Sequence, residues 1–255
     1  MHGSQRVAVT AVTLTFVIGL LASCGDDEAA DGEITVFAAA SLTDAFTEAG
    51  EAFSEANNDT TVVFNFAASS ELVTQINEGA PADVFASADQ NNMTKLTDAG
   101  NNASEPEIFT NNLLEIIVAP DNPLDIGGVE DLADPELIVV TCAEEVPCGT
   151  YAQEIFANAG VEVTPDSFEE NVRAVSNKVQ LGEADAGIVY ASDVEAAADA
   201  ADGVEIPEDI NVLAEYPIAV MAEAPNAESA QAFIDFLLSD AGQEILLSYG
   251  FTELS

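Results

Sequence analysis

ITVFAAASLTDAF (residues 34–46) and FAASSELVTQINEGAPADVFASAD (residues 66–89) are the stretches whose pattern decides the fold. Ile34 to Ala38 is an apolar, β-rich run. Directly after it, Leu42, Ala45, Phe46, Ala49 and Phe53 recur at the three-to-four-residue spacing of a helix with one apolar face. The pattern then repeats. Thr61 to Phe66 reads as a second strand, and Ser69-Ser70-Glu71-Leu72 opens a second helix that stops at Gly79. Ala82 to Ala86 is a third short strand, and Asp89 to Ala99 a third helix. Strand and helix alternating at this spacing predict an α/β architecture, a mostly parallel sheet flanked by helices on both faces.

Downstream a second set follows: strands at Leu113–Ala119, Leu137–Thr141 and Ala186–Tyr190, with helices at Thr150–Ala159 and Val172–Leu181. The acidic, alanine-rich run Asp193–Asp202 reads as a solvated surface helix. Val212–Met221 is a further strand, and Asn226–Leu238 and Ala241–Tyr249 are closing helices. No internal repeat or low-complexity linker separates the halves, which points to two lobes that share strands. The expected division is residues 33–112 plus 217–255 for lobe I and residues 113–216 for lobe II. Leu113–Ala119 and Val212–Met221 would form a two-segment hinge.

Upstream, a weakly basic start (His2, Arg6) leads into the apolar run Val7–Leu21 and then Leu21-Ala22-Ser23-Cys24-Gly25. This reads as a lipoprotein signal peptide (residues 1–23) whose Cys24 would carry the lipid, followed by an acidic tether (residues 24–32). The apolar run is short for a bilayer span. The expected location is extracytoplasmic, with membrane contact through the lipid anchor alone. The whole chain carries 47 acidic residues against four basic ones. Only Lys95, Arg173 and Lys178 remain basic after the leader, so nucleic acid is a poor partner. The single histidine, His2, falls in the leader. The body can therefore build no Ser-His-Asp triad and no histidine-ligated metal site. Cys142 and Cys148 are spaced for a disulfide on a loop in an oxidising compartment, with two free thiols as the alternative.

Five segments together carry a resemblance: residues 34–46, residues 66–89, VPCGTYA (146–152), NVRA (171–174) with GIVYASD (187–193), and Phe233–Phe251 with its YGF ending. In order, and across nearly all of the chain after the leader, they resemble the molybdate-binding component of ABC transporters, of the type II periplasmic-binding-protein fold. That resemblance implies a substrate-binding protein, not an enzyme, that captures molybdate or tungstate and hands it to the ABC permease. It implies a monomer that needs no cofactor. It also implies that the oxyanion is held by the hydroxyls of Ser41, Ser69 and Tyr190 and by main-chain amides at Cys148 and Val172. Molybdenum would be bound as the oxyanion through these residues, with no protein ligand directly on the metal. The chain departs from the family at Cys148, where alanine is common. A contact through the main-chain N–H tolerates that change, and a bridge from Cys148 to Cys142 would brace the loop.

The chemistry of these residues agrees. None of the three basic residues lies inside a serine-bearing motif, yet a dianion must be held. Ser41, Ser69, Cys148 and Val172 all fall at predicted helix starts, where N–H groups lack intrahelical partners and the macrodipole places about half a positive charge. Fixed neutral donors around a closed cavity set a radius. Longer metal–oxygen bonds fit it, and smaller sulfate leaves donors unpaired at roughly 1–3 kcal/mol each.

Each residue also has a plainer role available. Ser41 and Ser69 would serve as helix N-caps and Tyr190 as a core aromatic. Arg173 is expected to pair with Glu169 or Glu170, and Asp44, Asp83 and Asp89 to cap helices or shape turns. The rival functions are a binding protein for sulfate, phosphate or ferric iron, a secreted hydrolase using Ser41 or Ser69 with Lys95 or Lys178 as base, and a purely structural surface lipoprotein.

Overall fold

The computed structural model describes residues 32–57 and 60–254. The expected leader, Cys24 and nearly all of the tether lie outside them. Among the described residues no helix is long and apolar enough to cross a membrane.

Lobe I is laid down as β1 (Glu33–Ala39), α1 (Thr43–Ala56), β2 (Thr61–Ala67), α2 (Ser69–Asn77), β3 (Val84–Ala86), α3 (Gln90–Asp98) and β4 (Glu107–Asn112). Lobe II follows as β5 (Leu114–Val118), β6 (Val139–Cys142), α4 (Pro147–Ala159), β7 (Ser167–Glu169), α5 (Val172–Gln180), β8 (Ala186–Tyr190), α6 (Ala191–Ala197) and β9 (Asp202–Glu205). The chain then returns to the first lobe with β10 (Ala214–Val220), α7 (Ala227–Leu238) and α8 (Asp240–Ser248).

The two five-stranded sheets run β2-β1-β3-β10-β4 and β7-β6-β8-β5-β9. In the first, β10 lies antiparallel to β3 and β4 while β1 is parallel to β2 and β3. In the second, β5 lies antiparallel to β8 and β9 while β6 is parallel to β7 and β8. Each sheet is therefore mixed, with one reversed strand. In both it is the strand by which the chain enters from the other lobe.

The passages between sheets fall at strand ends, not along the strands expected to form the hinge. One lies at Leu113 and the other between Glu205 and Ala214. The second ends upstream of the expected boundary at 217, because Ala214 and Tyr216 already pair with Asn112 and Thr110. Asn211 ties the passages together: its Oδ1 accepts from the Leu114 N–H at 3.2 Å and its Nδ2 donates to the Leu114 carbonyl at 2.9 Å. The short, polar strands β4, β7 and β9 lacked a signal strong enough to be read from the sequence.

The apolar periodicity of α1 buries Ala45, Phe46, Ala49 and Phe53. Phe46 and Phe53 pack edge-on against Phe233 of α7, with ring centroids 5.9 and 5.3 Å apart. Such pairs add about 0.5–1.5 kcal/mol each beyond area burial, and they fix α1 against the return helix. The run Asp193–Asp202 differs from the expected solvated helix. It comprises the end of α6, a 3-10 turn (Ala198–Ala200) and the start of β9, and Asp193 and Ala197 are buried.

Candidate functional site

Parallel strands followed by helices leave their carboxyl ends facing a crevice, where helix N-termini converge. In the first lobe β1 ends at Ala39, a 3-10 turn (Ala40–Leu42) carries Ser41, and α1 begins at Thr43. Ser69 is the first residue of α2, with Ala68 before it. Neither serine caps its helix. Ser41 Oγ lies 2.9 Å from Tyr216 Oη, and Ser69 Oγ accepts from the Ala88 N–H at 2.9 Å. With its lone pair engaged by an amide, Ser69 has its own O–H left to donate elsewhere.

In the second lobe Pro147 starts α4 and Cys148 is its second residue, while Val172 starts α5 behind the cap Asn171, whose Oδ1 accepts from the Ala174 N–H. Proline at the first helical position costs no hydrogen bond. The next amide, Cys148, has no intrahelical acceptor, and neither has that of Val172. Gly149 is required by close approach: a Cβ there would stand 2.1 Å from the Ala143 carbonyl oxygen. Cys142 and Cys148 are joined, with Cα atoms 5.7 Å apart. The bridge ties the end of β6 to the first turn of α4, and so fixes the loop that presents the Cys148 amide.

Tyr190 ends β8 fully buried, and its Oη has no hydrogen-bond partner. An unpaired buried hydroxyl costs about 1–3 kcal/mol, so its direction carries information. Its ring stands edge-on to Tyr216 at 5.8 Å and to Tyr151 at 6.4 Å. Burial pushes the Tyr190 and Tyr216 phenols well above the usual tyrosine range. They remain protonated donors at any physiological pH.

These elements enclose one cavity lined by Ser41, Ser69, Cys148, Val172 and Tyr190, with Asn171 and small apolar residues including Ala39, Ala68 and Ala88. It leaves about 10 Å³ for the centre of a water-sized guest, the room of roughly one water molecule. None of its lining residues carries a charge. All five residues expected from the sequence are brought together. Asn171, Ala88 and Tyr216 were missed, since their parts are a helix cap, a main-chain N–H and a phenol behind the cavity wall.

Two expectations are corrected, at Arg173 and Asp193, and the lysines that the rival hydrolase reading requires are placed elsewhere. Arg173 pairs with Asp44 of α1 across the two lobes, and not with Glu169, which instead accepts from Lys178 at 2.6 Å. Lys95 donates to Asn92 and Lys178 to Glu169 and Ser167, so neither is placed as a base beside Ser41 or Ser69. Behind the site Asp193 is wholly buried. Its Oδ2 accepts from the Tyr190 N–H at 3.3 Å, and its Oδ1 is unpartnered. Desolvation pushes its carboxyl up to about 7, against a lowering pull from Arg173. The other two aspartates hold local structure: Asp89 caps α3, and Asp83 accepts from the N–H groups of Thr35 and Asn226. No group of acidic or sulfur ligands among the described residues could hold a metal ion.

A two-lobed α/β fold with a small uncharged cavity between the carboxyl ends of two sheets defines a solute-binding protein. The chain belongs to the bacterial extracellular solute-binding protein family, whose model matches residues 34–252. It is 41% identical to the molybdate-binding protein ModA of Mycobacterium tuberculosis over 95% of this chain and 96% of that one. To the molybdate-binding protein ModA of Escherichia coli it is 37% identical over 91% and 93% of the two chains. Among solved structures, the periplasmic molybdate-binding protein of Azotobacter vinelandii superposes with a TM-score of 0.76 at 17% identity, covering 87% of this chain and all of that one. The sulfate-binding protein SubI of M. tuberculosis gives 0.80 at 19%, covering 88% and 87%, a likeness of fold alone.

Proposed function

We propose that this chain is the extracytoplasmic receptor of an ABC importer, binding molybdate, and tungstate with it, in the cavity between its lobes. One observation carries the reading: an uncharged cavity lined from both lobes by helix starts and by a fully buried tyrosine whose hydroxyl has no protein partner among the described residues. Such a cavity suits a tetrahedral dianion, which offers acceptors in every direction and requires donors only. A carboxylate on the wall would repel it. A protonated phosphate would favour a carboxylate acceptor for its proton, and no carboxylate lines the cavity.

The mechanism follows from the donors. Ser69 and Tyr190 present O–H groups, and the first turns of α4 and α5 present N–H groups along the axes of their macrodipoles. Because the donors come from both lobes, the anion is fully coordinated only when the lobes are shut. Binding therefore favours the closed form, and the permease can distinguish loaded from empty receptor. No bond in the anion is broken, and the chain works as a carrier without catalysis or cofactor. We further propose that it acts as a monomer held at the membrane by lipid on Cys24.

Titration of the protein with molybdate, tungstate, sulfate and phosphate, read as melting temperature, tests the assignment. Ligand that binds only the folded form raises the midpoint with concentration. The expected result is a large rise with molybdate and tungstate and little with the other two. A rise with sulfate alone would move the assignment to that anion, and no rise with any of the four would remove it.

A further inference from the structure

The Ser41–Tyr216 hydrogen bond decides whether Ser41 can present a donor to the cavity at all. The two oxygens are 2.9 Å apart and either could donate. Tyr216 is wholly buried. A buried O–H left without an acceptor costs more than a phenol oxygen left without a donor.

Its surroundings narrow the choice. Asn112 lies on β4 opposite Ala214, and Tyr216 on β10 opposite Thr110, so the two are diagonal neighbours on one face of the ladder. The orientation of the Asn112 carboxamide is fixed, because its Oδ1 accepts from the Leu113 N–H at 3.0 Å and its Nδ2 donates to Ser192 Oγ at 2.8 Å. With the Asn112 oxygen engaged by the Leu113 N–H, Ser41 Oγ is the one hydrogen-bond partner of the Tyr216 phenol among the described residues and so the acceptor for its proton.

We propose that Tyr216 is a positioning residue of the anion site: it donates its O–H to Ser41 Oγ and thereby obliges Ser41 to turn its own hydrogen into the cavity. The order of donation is Tyr216 to Ser41 to guest. Ser69 is polarised in the same sense by the Ala88 N–H. Both serines of the first lobe are thus set as donors before any anion arrives. This inference rests on the reading that Ser41 holds the oxyanion.

Calorimetry with molybdate on Ser41→Ala, Tyr216→Phe and the double variant tests it, with the melting temperature of each empty protein as control. Ser41→Ala is expected to weaken binding tenfold or more. Tyr216→Phe is expected to weaken it about three- to tenfold, as loss of one oriented hydrogen bond does. The double variant should bind no worse than Ser41→Ala. If the two losses multiply, Tyr216 acts by packing and the proposal is overturned. If Ser41→Ala binds like the unaltered protein, the anion-site reading itself has failed. Should Tyr216→Phe not fold, Asn112→Asp offers the phenol a competing acceptor. The same loss is then expected, abolished in the Ser41→Ala background, and a loss that persists there overturns the proposal.

Discussion

The first lobe reaches the cavity with two serine hydroxyls, each held from behind by another donor or a phenol. The second lobe reaches it with main-chain amides at the starts of α4 and α5 and one tyrosine hydroxyl, its loop braced by a disulfide. The difference teaches where precision comes from in each half. A side-chain donor can rotate and must be oriented by its neighbours. An amide in the first turn of a helix is aimed by the backbone, and only the loop leading into that helix needs support.

The strongest way to break this comparison is at Tyr190, the second lobe's side-chain hydroxyl at the cavity. Tyr190→Phe should lower molybdate affinity by roughly ten- to a hundredfold, the loss of a hydrogen bond to a charged guest. Because Tyr190 Oη is buried without a protein partner among the described residues, the same change should leave the unliganded melting temperature equal or higher. Calorimetry and thermal melts together read both effects. A fall in stability with unchanged affinity would make Tyr190 a structural residue.

A smaller effect is expected at the only ion pair between the lobes among the described residues. Asp44 follows Ser41 closely in one lobe, and Arg173 adjoins Val172 in the other. The pair therefore links the segment that follows Ser41 to the helix that Val172 starts. It is partly exposed and worth at most about 1 kcal/mol. Asp44→Asn or Arg173→Gln should speed molybdate release a few-fold in stopped-flow measurements, with little change in the association rate. Equal release rates would mean the pair is incidental to closure.

The least effect on binding is expected at Asp193, where the consequence is for stability. Its folded value near 7 stands above the ordinary aspartate value of 3.8, so folding is favoured while the carboxyl is protonated. That contribution is complete below about pH 4 and is lost as the pH rises towards 7. Asp193→Asn should therefore raise the melting temperature at pH 8 by several degrees and leave it nearly unchanged at pH 4. An equal shift at both would assign the effect to packing.

The alternation of strand and helix was legible from Ile34 to Ala99 because each element carries its own apolar period. The cavity's serines and tyrosine were legible as side chains within recognisable motifs. The short polar strands β4, β7 and β9 were not, since their place is set by pairing with neighbours and not by their own pattern. Tyr216 escaped notice as one more aromatic in an apolar strand. Arg173 pairs elsewhere than expected because acids nearby in sequence compete with Asp44, which only the folded chain brings within reach.

The central claim is that neutral donors alone hold a doubly charged anion inside a highly acidic protein. The dissociation constant of molybdate measured at about 0.05 M and about 1 M sodium chloride tests it most directly, since the Debye length falls to about 3 Å at the higher salt. A site without cations, surrounded by repelling carboxylates, should bind as tightly or more tightly in high salt. Affinity that falls tenfold or more as salt rises would mean that a cation holds the anion, and would contradict the account.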